Sequence, residues 1–200
     1  MRRDPFGLTP DAVVVGGRSV SIDPSFRVGV AIEMEALSSD PDVVGLLHRF
    51  YLGRIPEDVS AAVQAMLDFY RGPRRDGDTD RPAKASGRAY DFDADAEVIM
   101  SSFLSCYGID LTTTDMHWWT FRRLLFNLPP DSGFMQRIAY RTVDLSGLSG
   151  AQRKHYKRMR DLYAIRDDGD QHKMTAAESE AALLAKVERR YQEAAAQLDM

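Results

Sequence analysis

The chain has 200 residues, of which 44% are hydrophobic and 28% are charged, and its formal net charge at pH 7 is −4. A chain of this length can bury a sizeable core, and its acidic balance argues against a general nucleic-acid binder, which carries a basic excess. One cysteine excludes an internal disulfide and fits a reducing compartment. No apolar run approaches the roughly 20 residues of a membrane span, and the amino terminus lacks a signal-peptide pattern. A soluble cytoplasmic protein is therefore expected.

The chain opens with a predicted β-hairpin. Two short β-branched runs between residues 13 and 22 flank the pair Gly16-Gly17, which is a typical hairpin pattern. The next stretch is ambiguous, because residues 26–34 alternate like a strand while some apolar residues also have helical spacing, namely Phe26, Val30, Met34 and Leu37. The pair Asp23-Pro24 would supply an N-cap and a proline at the first helical position, which favours a helix.

Two further amphipathic helices are predicted before residue 71. Asp40-Pro41 repeats the Asp-Pro start signal, Pro56 gives another, and the second helix should end near Gly53. The apolar residues recur at helical spacing: Val43, Leu47, Phe50 and Tyr51 in the second helix, and Val59, Val63, Met66 and Tyr70 in the third. Residues 71–89 contain no large apolar residue, which predicts a flexible polar linker.

Residues 90–166 are rich in aromatic side chains and again have helical spacing. Asp91 or Asp93 can cap a helix that Gly108 ends, with the apolar stripe Phe92, Ala96, Ile99, Phe103 and Cys106. Thr114 or Asp115 can cap the next helix, which Pro129-Pro130 ends, with the stripe Trp118, Phe121, Leu125 and Leu128. A helix at about 131–141 and a turn at 145–149 follow. Ser149 can then cap a helix with Tyr156, Met159 and Tyr163 on one side.

The last residues predict one more helix. A break at 167–170 precedes a capping box at 175–178, and the helix carries a heptad seam of Leu184, Val187, Tyr191, Ala194 and Leu198. This pattern is typical of a helix that docks or forms a homo-oligomer. The whole sequence thus predicts a mainly α protein, a helical domain with a small N-terminal β-hairpin. Its segments are 1–70, the linker 71–89, an aromatic-rich region 90–166 that packs with the first, and an appended helix 167–200.

Residues 91–95 resemble the start of a calcium-binding EF-hand loop. Ala96 and Ser102, however, occupy positions that require glycine and glutamate. Acidic side chains at a helix N-terminus, favoured by the helix dipole, are the better interpretation. The histidines have no pair at metal-ligand spacing: His48, His117, His155 and His172. No metal site is expected.

Nucleophilic residues also lack a catalytic setting. Residues 147–150 come close to a nucleophile elbow but lack its last glycine and the preceding strand, so Ser149 is interpreted as a helix cap. Cys106 lies on the apolar side of its predicted helix, where a small buried, unreactive thiol is normal. Gly16-Gly17 is a hairpin turn and not a phosphate loop. We therefore expect no enzyme activity and no cofactor.

Two features of the aromatic region could bind a partner. Trp118 and Trp119 are adjacent, so they diverge by about 100° on a helix and cannot both point in one core direction. One should pack in the core while the other lies at its margin or in an interface, and burial of both within a compact helical domain is the favoured interpretation. Residues 151–166 contain six Lys/Arg and one Asp. A solvated helix face is the favoured interpretation of this basic run, ahead of a surface for an acidic protein partner or for nucleic acid.

Several motifs together carry a resemblance to a known family. They are Gly17-Arg-x-Val-x-Ile-Asp-x-x-Phe-Arg27, Tyr90-Asp-Phe-Asp-x-Asp-Ala-Glu-x-Ile, Ser102-Phe-x-x-x-Tyr-Gly-Ile-Asp-Leu111, His117-Trp-Trp-x-Phe121 and Lys154-x-Tyr-x-x-x-x-x-Leu-Tyr163. In this order they resemble the bacteriophage "gene product fifteen" family, encoded in the tail modules of long-tailed phages and prophages of Gram-positive bacteria. The resemblance covers about residues 13–166.

The resemblance implies a tail assembly chaperone or a related tail-assembly factor that acts in the cytoplasm of the bacterial host. Its expected client is the tape measure protein, a long helical chain, and tail tube or other tail-assembly proteins are further expected partners. No catalytic residue is carried over. The residues expected to contact a partner are Trp118, Trp119, Phe121, Lys154, Lys157 and Arg158. The alternative function is a nucleic-acid-associated phage protein that uses the basic helix 151–166.

Overall fold

The computed structural model describes residues 9–38, 40–72 and 88–165. Its elements in chain order are β1 (Ala12–Val15), β2 (Arg18–Ser21), α1 (Phe26–Ala36), α2 (Val43–Phe50), α3 (Val59–Arg71), α4 (Ala96–Tyr107), α5 (Trp118–Phe126), α6 (Gly133–Thr142) and α7 (Gly150–Leu162). The prediction of a mainly α protein with a small N-terminal β-hairpin is confirmed. Most of the predicted linker, and the predicted helix after residue 167, lie outside the described residues.

The hairpin forms at the predicted glycines. β1 and β2 pair antiparallel, with Val15 opposite Arg18 and Ala12 opposite Ser21. Gly16 and Gly17 have φ angles of 56° and 78°. Two consecutive positive φ angles are required by a type I′ turn, and glycine adopts them without a Cβ clash.

Helix α1 decides the ambiguous stretch in favour of a helix, but it begins at Phe26, two residues after the predicted first helical position at Pro24. Asp23 is not its N-cap, because the Asp23 carboxylate accepts a hydrogen bond from the N–H of Ser25 (2.9 Å) in the turn before the helix. Residues 24–26 are extended because they pair with residues 116–118. The N–H of Phe26 donates to the carbonyl of Met116 (2.8 Å), and the N–H of Trp118 donates to the carbonyl of Pro24 (2.8 Å). This pairing also places the start of α5 at Trp118, later than the predicted caps at 114 and 115.

Helices α2 and α3 are capped by aspartates that the Asp-Pro signal did not single out. The Asp42 carboxylate accepts from the N–H of Gly45 (3.0 Å), and the Asp58 carboxylate accepts from the N–H of Ala61 (2.9 Å). Such bonds satisfy N–H groups that the first turn of a helix leaves without partners. Asp40 therefore lies before the helix and not at its cap.

The described residues form two compact units. The first unit consists of residues 9–72 and 116–121, and the second consists of 88–115 and 122–165. The boundary falls within α5, so residues 116–121 belong with the amino-terminal elements although the sequence segmentation placed them in 90–166. The two units are therefore not two continuous halves of the chain.

The first unit buries one side of each helix and part of the hairpin. The predicted apolar residues of α2 are all buried, and in α3 Val63 and Met66 are buried while Val59 and Tyr70 are half-buried. The hydroxyl of Tyr51 donates to the carbonyl of Ala62 (2.6 Å), and burial raises the pKa of this phenol far above its ordinary value. The core of the unit comprises Val15, Ile22, Phe26, Val28, Ile32, Val43, Leu46, Leu47, Phe50, Tyr51, Ala62, Val63, Met66, Leu67, Phe69, Trp118 and Phe121.

The second unit has a smaller core. Gly108 ends α4 in the left-handed region (φ 67°), as predicted. The Ser132 hydroxyl accepts from the N–H of Met135 (3.4 Å) at the start of α6, and the buried Ser102 hydroxyl accepts from the N–H of Phe134 (3.2 Å). The buried apolar residues are Phe92, Ile99, Phe103, Leu111, Leu125, Leu128 and Phe134.

Candidate partner-binding surface

His117, Trp118 and Trp119 join the end of α3 to the start of α5 within the first unit. The indole N–H of Trp118 donates to the carbonyl of Tyr70 (2.8 Å), and that of Trp119 donates to the carbonyl of Phe69 (2.7 Å). The last carbonyls of a helix lack the usual partner one turn further along, and the two indoles supply donors there, at Phe69 in addition to the N–H of Gly72 (3.1 Å). The two adjacent tryptophans therefore donate to two adjacent carbonyls at the end of α3.

His117 has a similar role at the start of α5. Its Nδ1 accepts a hydrogen bond from the N–H of Trp119 (3.0 Å), so its Nε2 carries the proton in this arrangement and donates to the carbonyl of Pro10 (2.9 Å). The imidazole therefore acts as a cap for α5 and holds the segment before β1. Both ring nitrogens of His117 are therefore hydrogen-bonded within the first unit, which gives the residue a structural role there.

Trp118 and Phe121 lie in the core, each with 1% of its surface exposed. Trp118 stacks on Tyr70 with ring centroids 5.3 Å apart, and Phe121 stacks on Phe26 at 4.8 Å. A Cβ atom added at Gly29 would lie 2.1 Å from Cδ2 of Trp118, so the indole fills the space that this glycine leaves. Of the three aromatic residues expected to contact a partner, Trp118 and Phe121 present no accessible surface, and only the half-buried Trp119 does.

Asp95 is the centre of a polar cluster in the second unit. Its carboxylate is fully buried (0% exposed) and accepts from both outer nitrogens of Arg141 (2.5 and 2.9 Å) and from Arg137 (3.2 Å). The N–H of Asp91 also donates to it (3.1 Å). Burial alone raises the pKa of Asp95, but the hydrogen bonds from Arg141, the Asp91 N–H and Arg137, together with the charge of Arg141, outweigh it, so the pKa is lowered. Asp95 is therefore not only an acidic side chain at a helix N-terminus, since its carboxylate also accepts the hydrogen bonds of a buried ion cluster.

The same cluster fixes the carboxyl end of α7. Nε of Arg141 donates to the carbonyl of Tyr163 (2.6 Å), the residue that follows α7. The Tyr163 ring stacks on Tyr140 (5.7 Å between centroids) and lies 5.4 Å from the Arg137 guanidinium. Helix α7 has no buried residue, so these contacts and the half-buried side of Tyr156 and Met159 attach it to α6.

The outward side of α7 is basic, and we call it the α7 basic face. Its members are exposed: Arg153, Lys154, Lys157 and Arg158. None of them forms an ion pair with another described residue. Leu162, which is 67% exposed, lies at the margin of this face, one turn after Arg158. The structure therefore brings Lys154, Lys157 and Arg158 together on one accessible surface.

The remaining candidate residues form no site within the described residues. Cys106 is exposed, so the prediction of a buried thiol is wrong. The last turn of α4 leaves the side at position 106 uncovered, although the spacing places it beside Phe103. Ser149 stands at the N-cap of α7, but its hydroxyl donates to Gln152 (2.9 Å) instead of accepting from the backbone. No group of three or more His, Cys, Asp or Glu side chains is placed to hold a metal ion among the residues described.

The comparison with protein families gives the chain its assignment. The family described as Bacteriophage Gp15 protein matches residues 9–165, which is most of the chain. The chain belongs to this family. The sequence resemblance is thereby confirmed, and the protein is a bacteriophage protein.

The Gp15 family match includes every residue of the α7 basic face and of the tryptophan caps. Searches of curated proteins and of solved structures gave no match. Within the described part of this Gp15-family chain, no helix has the length and apolar character that a membrane crossing requires.

Sequence reasoning missed the role of Asp95 in this Gp15-family chain. A signal was present, because Asp95 lies three residues after Phe92 and four before Ile99, which is the spacing of the buried side of α4. An acidic residue at a buried position requires a cationic partner. The sequence offered many arginines, and only the fold selects 137 and 141.

Proposed function

We propose that this Gp15-family protein is a non-enzymatic tail-assembly factor of the chaperone type. In this role it binds the phage tape measure protein in the cytoplasm of the bacterial host and keeps that long helical chain soluble before the tail is assembled. Tail tube and other tail-assembly proteins are further candidate partners. The helix predicted at 175–198 would add docking or homo-oligomer formation, and it lies outside the described residues.

The observation that carries this proposal is the accessible α7 basic face, whose cations form no ion pair with another described residue, on a phage protein whose described aromatic residues largely pack in its core. Exposed charge without a partner supports binding to another macromolecule, because such a surface contributes little to the stability of its own fold. Trp119, with its half-buried indole, remains a candidate for a second contact.

The test is co-expression with the tape measure protein encoded by the same phage. We expect the soluble fraction of the tape measure protein to rise and the two proteins to copurify, while an unrelated long helical protein gains nothing from co-expression. Unchanged solubility together with no copurification would reject the proposal.

The alternative function is a nucleic-acid-associated phage protein that uses the basic helix 151–166. The exposed cations of α7 support it as well. Binding to phosphates releases counterions, so the affinity would fall steeply with salt, with a log–log slope of about −0.9 for each phosphate contacted. Measurable DNA binding with such a slope, lost on charge reversal at Lys154, Lys157 and Arg158, would favour this alternative.

A further inference from the structure

The α7 basic face fits one class of ligand better than others. We propose that it binds an acidic amphipathic α-helix, a segment whose acidic side chains lie beside an apolar stripe. This inference rests on the proposed function, since the client protein would supply the helix. The client segment that binds would carry acidic side chains beside an apolar stripe.

The pattern of side chains on α7 sets the charge of the ligand. Arg153, Lys154, Lys157 and Arg158 recur one turn apart and cover the outward side of the helix. Carboxylates spaced by three or four residues on a facing helix repeat with the same pitch. The exposed side chain of Leu162 at the margin offers an apolar contact to the neighbouring stripe of such a helix.

The backbone of α7 sets the conformation of the ligand. The N–H and C=O groups inside a helix are bonded within it, so α7 offers no row of donors and acceptors to an extended peptide. A helical ligand satisfies its own backbone and needs only side-chain contacts. The attachment of Tyr163 to Arg141 and Tyr140 fixes the end of α7 before the ligand arrives, which lowers the entropic cost of binding.

Two features disfavour nucleic acid as the ligand of this face. Leu162 would have no apolar partner on a phosphate backbone. Tyr156 and Tyr163 contact Tyr140 and are not available on the outward side for base stacking.

The experiment measures binding of the full-length protein to synthetic helices by fluorescence anisotropy. One probe of about 18 residues, or five turns, carries a Glu stripe beside a Leu stripe. A second probe has Gln in place of Glu, and a duplex DNA of similar length is the third. We expect the Glu probe to bind at least about tenfold more tightly than the Gln probe or the DNA at equal salt.

Variants then locate the binding. The triple variant K154E/K157E/R158E should lose at least about tenfold in affinity for the Glu probe. The matched control R18E/R49E/R54E reverses three exposed arginines of the first unit and changes the net charge equally, and it should leave the affinity within about twofold. Leu162→Gln should weaken the Glu probe by about threefold or more while leaving DNA binding unchanged.

Equal binding of the Glu and Gln probes, tighter binding of DNA, or equal losses in the two triple variants would each overturn the inference. A wild-type dimer that K154E/K157E/R158E dissociates, with no binding of the Glu probe, would also overturn it and identify a second copy as the ligand. If the co-expressed tape measure protein becomes soluble regardless of the α7 reversal, this inference fails while the proposed function stands. If the Glu probe binds but the tape measure protein gains no solubility, the proposed function fails alone.

Discussion

The two units of this protein use their large side chains in opposite ways. The first unit buries its aromatic residues, and the indoles of Trp118 and Trp119 donate to the terminal carbonyls of α3. The second unit has a smaller core and ends in α7, a helix without a buried residue whose outward side is basic. Buried aromatic rings and their hydrogen bonds therefore mark the core of the first unit, and cations without an ion-pair partner among the described residues mark the accessible side of α7.

This contrast changes where a partner is sought. Large aromatic residues dominate many interfaces, so an aromatic-rich segment without reactive groups suggests partner binding. In this chain the same residues are needed for the core and for capping. The α7 basic face, by contrast, consists of exposed Lys and Arg side chains, which contribute little to the fold and are accessible to a partner.

The largest expected effect comes from removing the main aromatic side chain of the first unit. Trp118→Ala should lower the free energy of unfolding by about 4 kcal/mol, because it leaves a cavity and removes the hydrogen bond from the indole to the carbonyl of Tyr70. Urea unfolding measures the loss, and Trp119→Ala at the half-buried neighbour should cost clearly less. A stable W118A protein that fails only in partner binding would place Trp118 in an interface and erase the contrast between the units.

The next effect tests whether the second unit depends on its buried ion cluster. Asp95→Asn should lower the free energy of unfolding by about 3 kcal/mol, because the substitution leaves Arg141 without its carboxylate partner. The lowered pKa of Asp95 means that its stabilisation is fully present above the unfolded pKa of about 3.9 and is lost as the pH falls through the folded value.

The measurement is urea unfolding of wild type and D95N at neutral pH and between about pH 3 and 5. The difference between the two proteins should shrink as the pH falls. Asp93→Asn, at an exposed position on the same segment, should change stability by less than about 0.5 kcal/mol. A pH-independent difference would show that the charge of Asp95 is not what stabilises the unit.

A smaller effect tests the close packing of the first unit. Gly29→Ala should lower the free energy of unfolding by about 2 kcal/mol, because the new Cβ would lie 2.1 Å from the Trp118 ring and force the ring to move. Gly147→Ala is the matched control, since no atom lies within 4 Å of a Cβ added there. Near-ultraviolet circular dichroism should report the displaced indole, and equal thermal stability of the two variants would contradict the tight fit.

The smallest effect on stability should come from the α7 basic face. K154E/K157E/R158E should change the free energy of unfolding by less than about 0.5 kcal/mol, because the three cations have no ion-pair partner among the described residues. Thermal unfolding at moderate salt measures it. A loss comparable to that of Asp95→Asn would mean that these cations stabilise the fold and are not reserved for a partner.

Local sequence patterns determined much of this protein. The Gly16-Gly17 pair required positive φ angles, the apolar spacing predicted the buried sides of α2 and α3, and Gly108 ended α4. These features depend on residues a few positions apart, so their physics is contained in short stretches of chain. The ordered motifs likewise identified the family, since they need no knowledge of contacts.

Only the tertiary structure decided how distant residues are paired. The extended pairing of residues 24–26 with 116–118 fixed where α1 and α5 begin. The carbonyls of α3 gave the two adjacent tryptophans their role, and Arg141 became the partner of Asp95 from 46 residues away. Hydrogen bonds and ion pairs of this kind depend on positions that the fold brings together, and a local pattern carries no information about them. For the same reason the sequence predicted Trp118 and Lys154 alike as partner residues, and only burial in the structure separated the core residue from the exposed one.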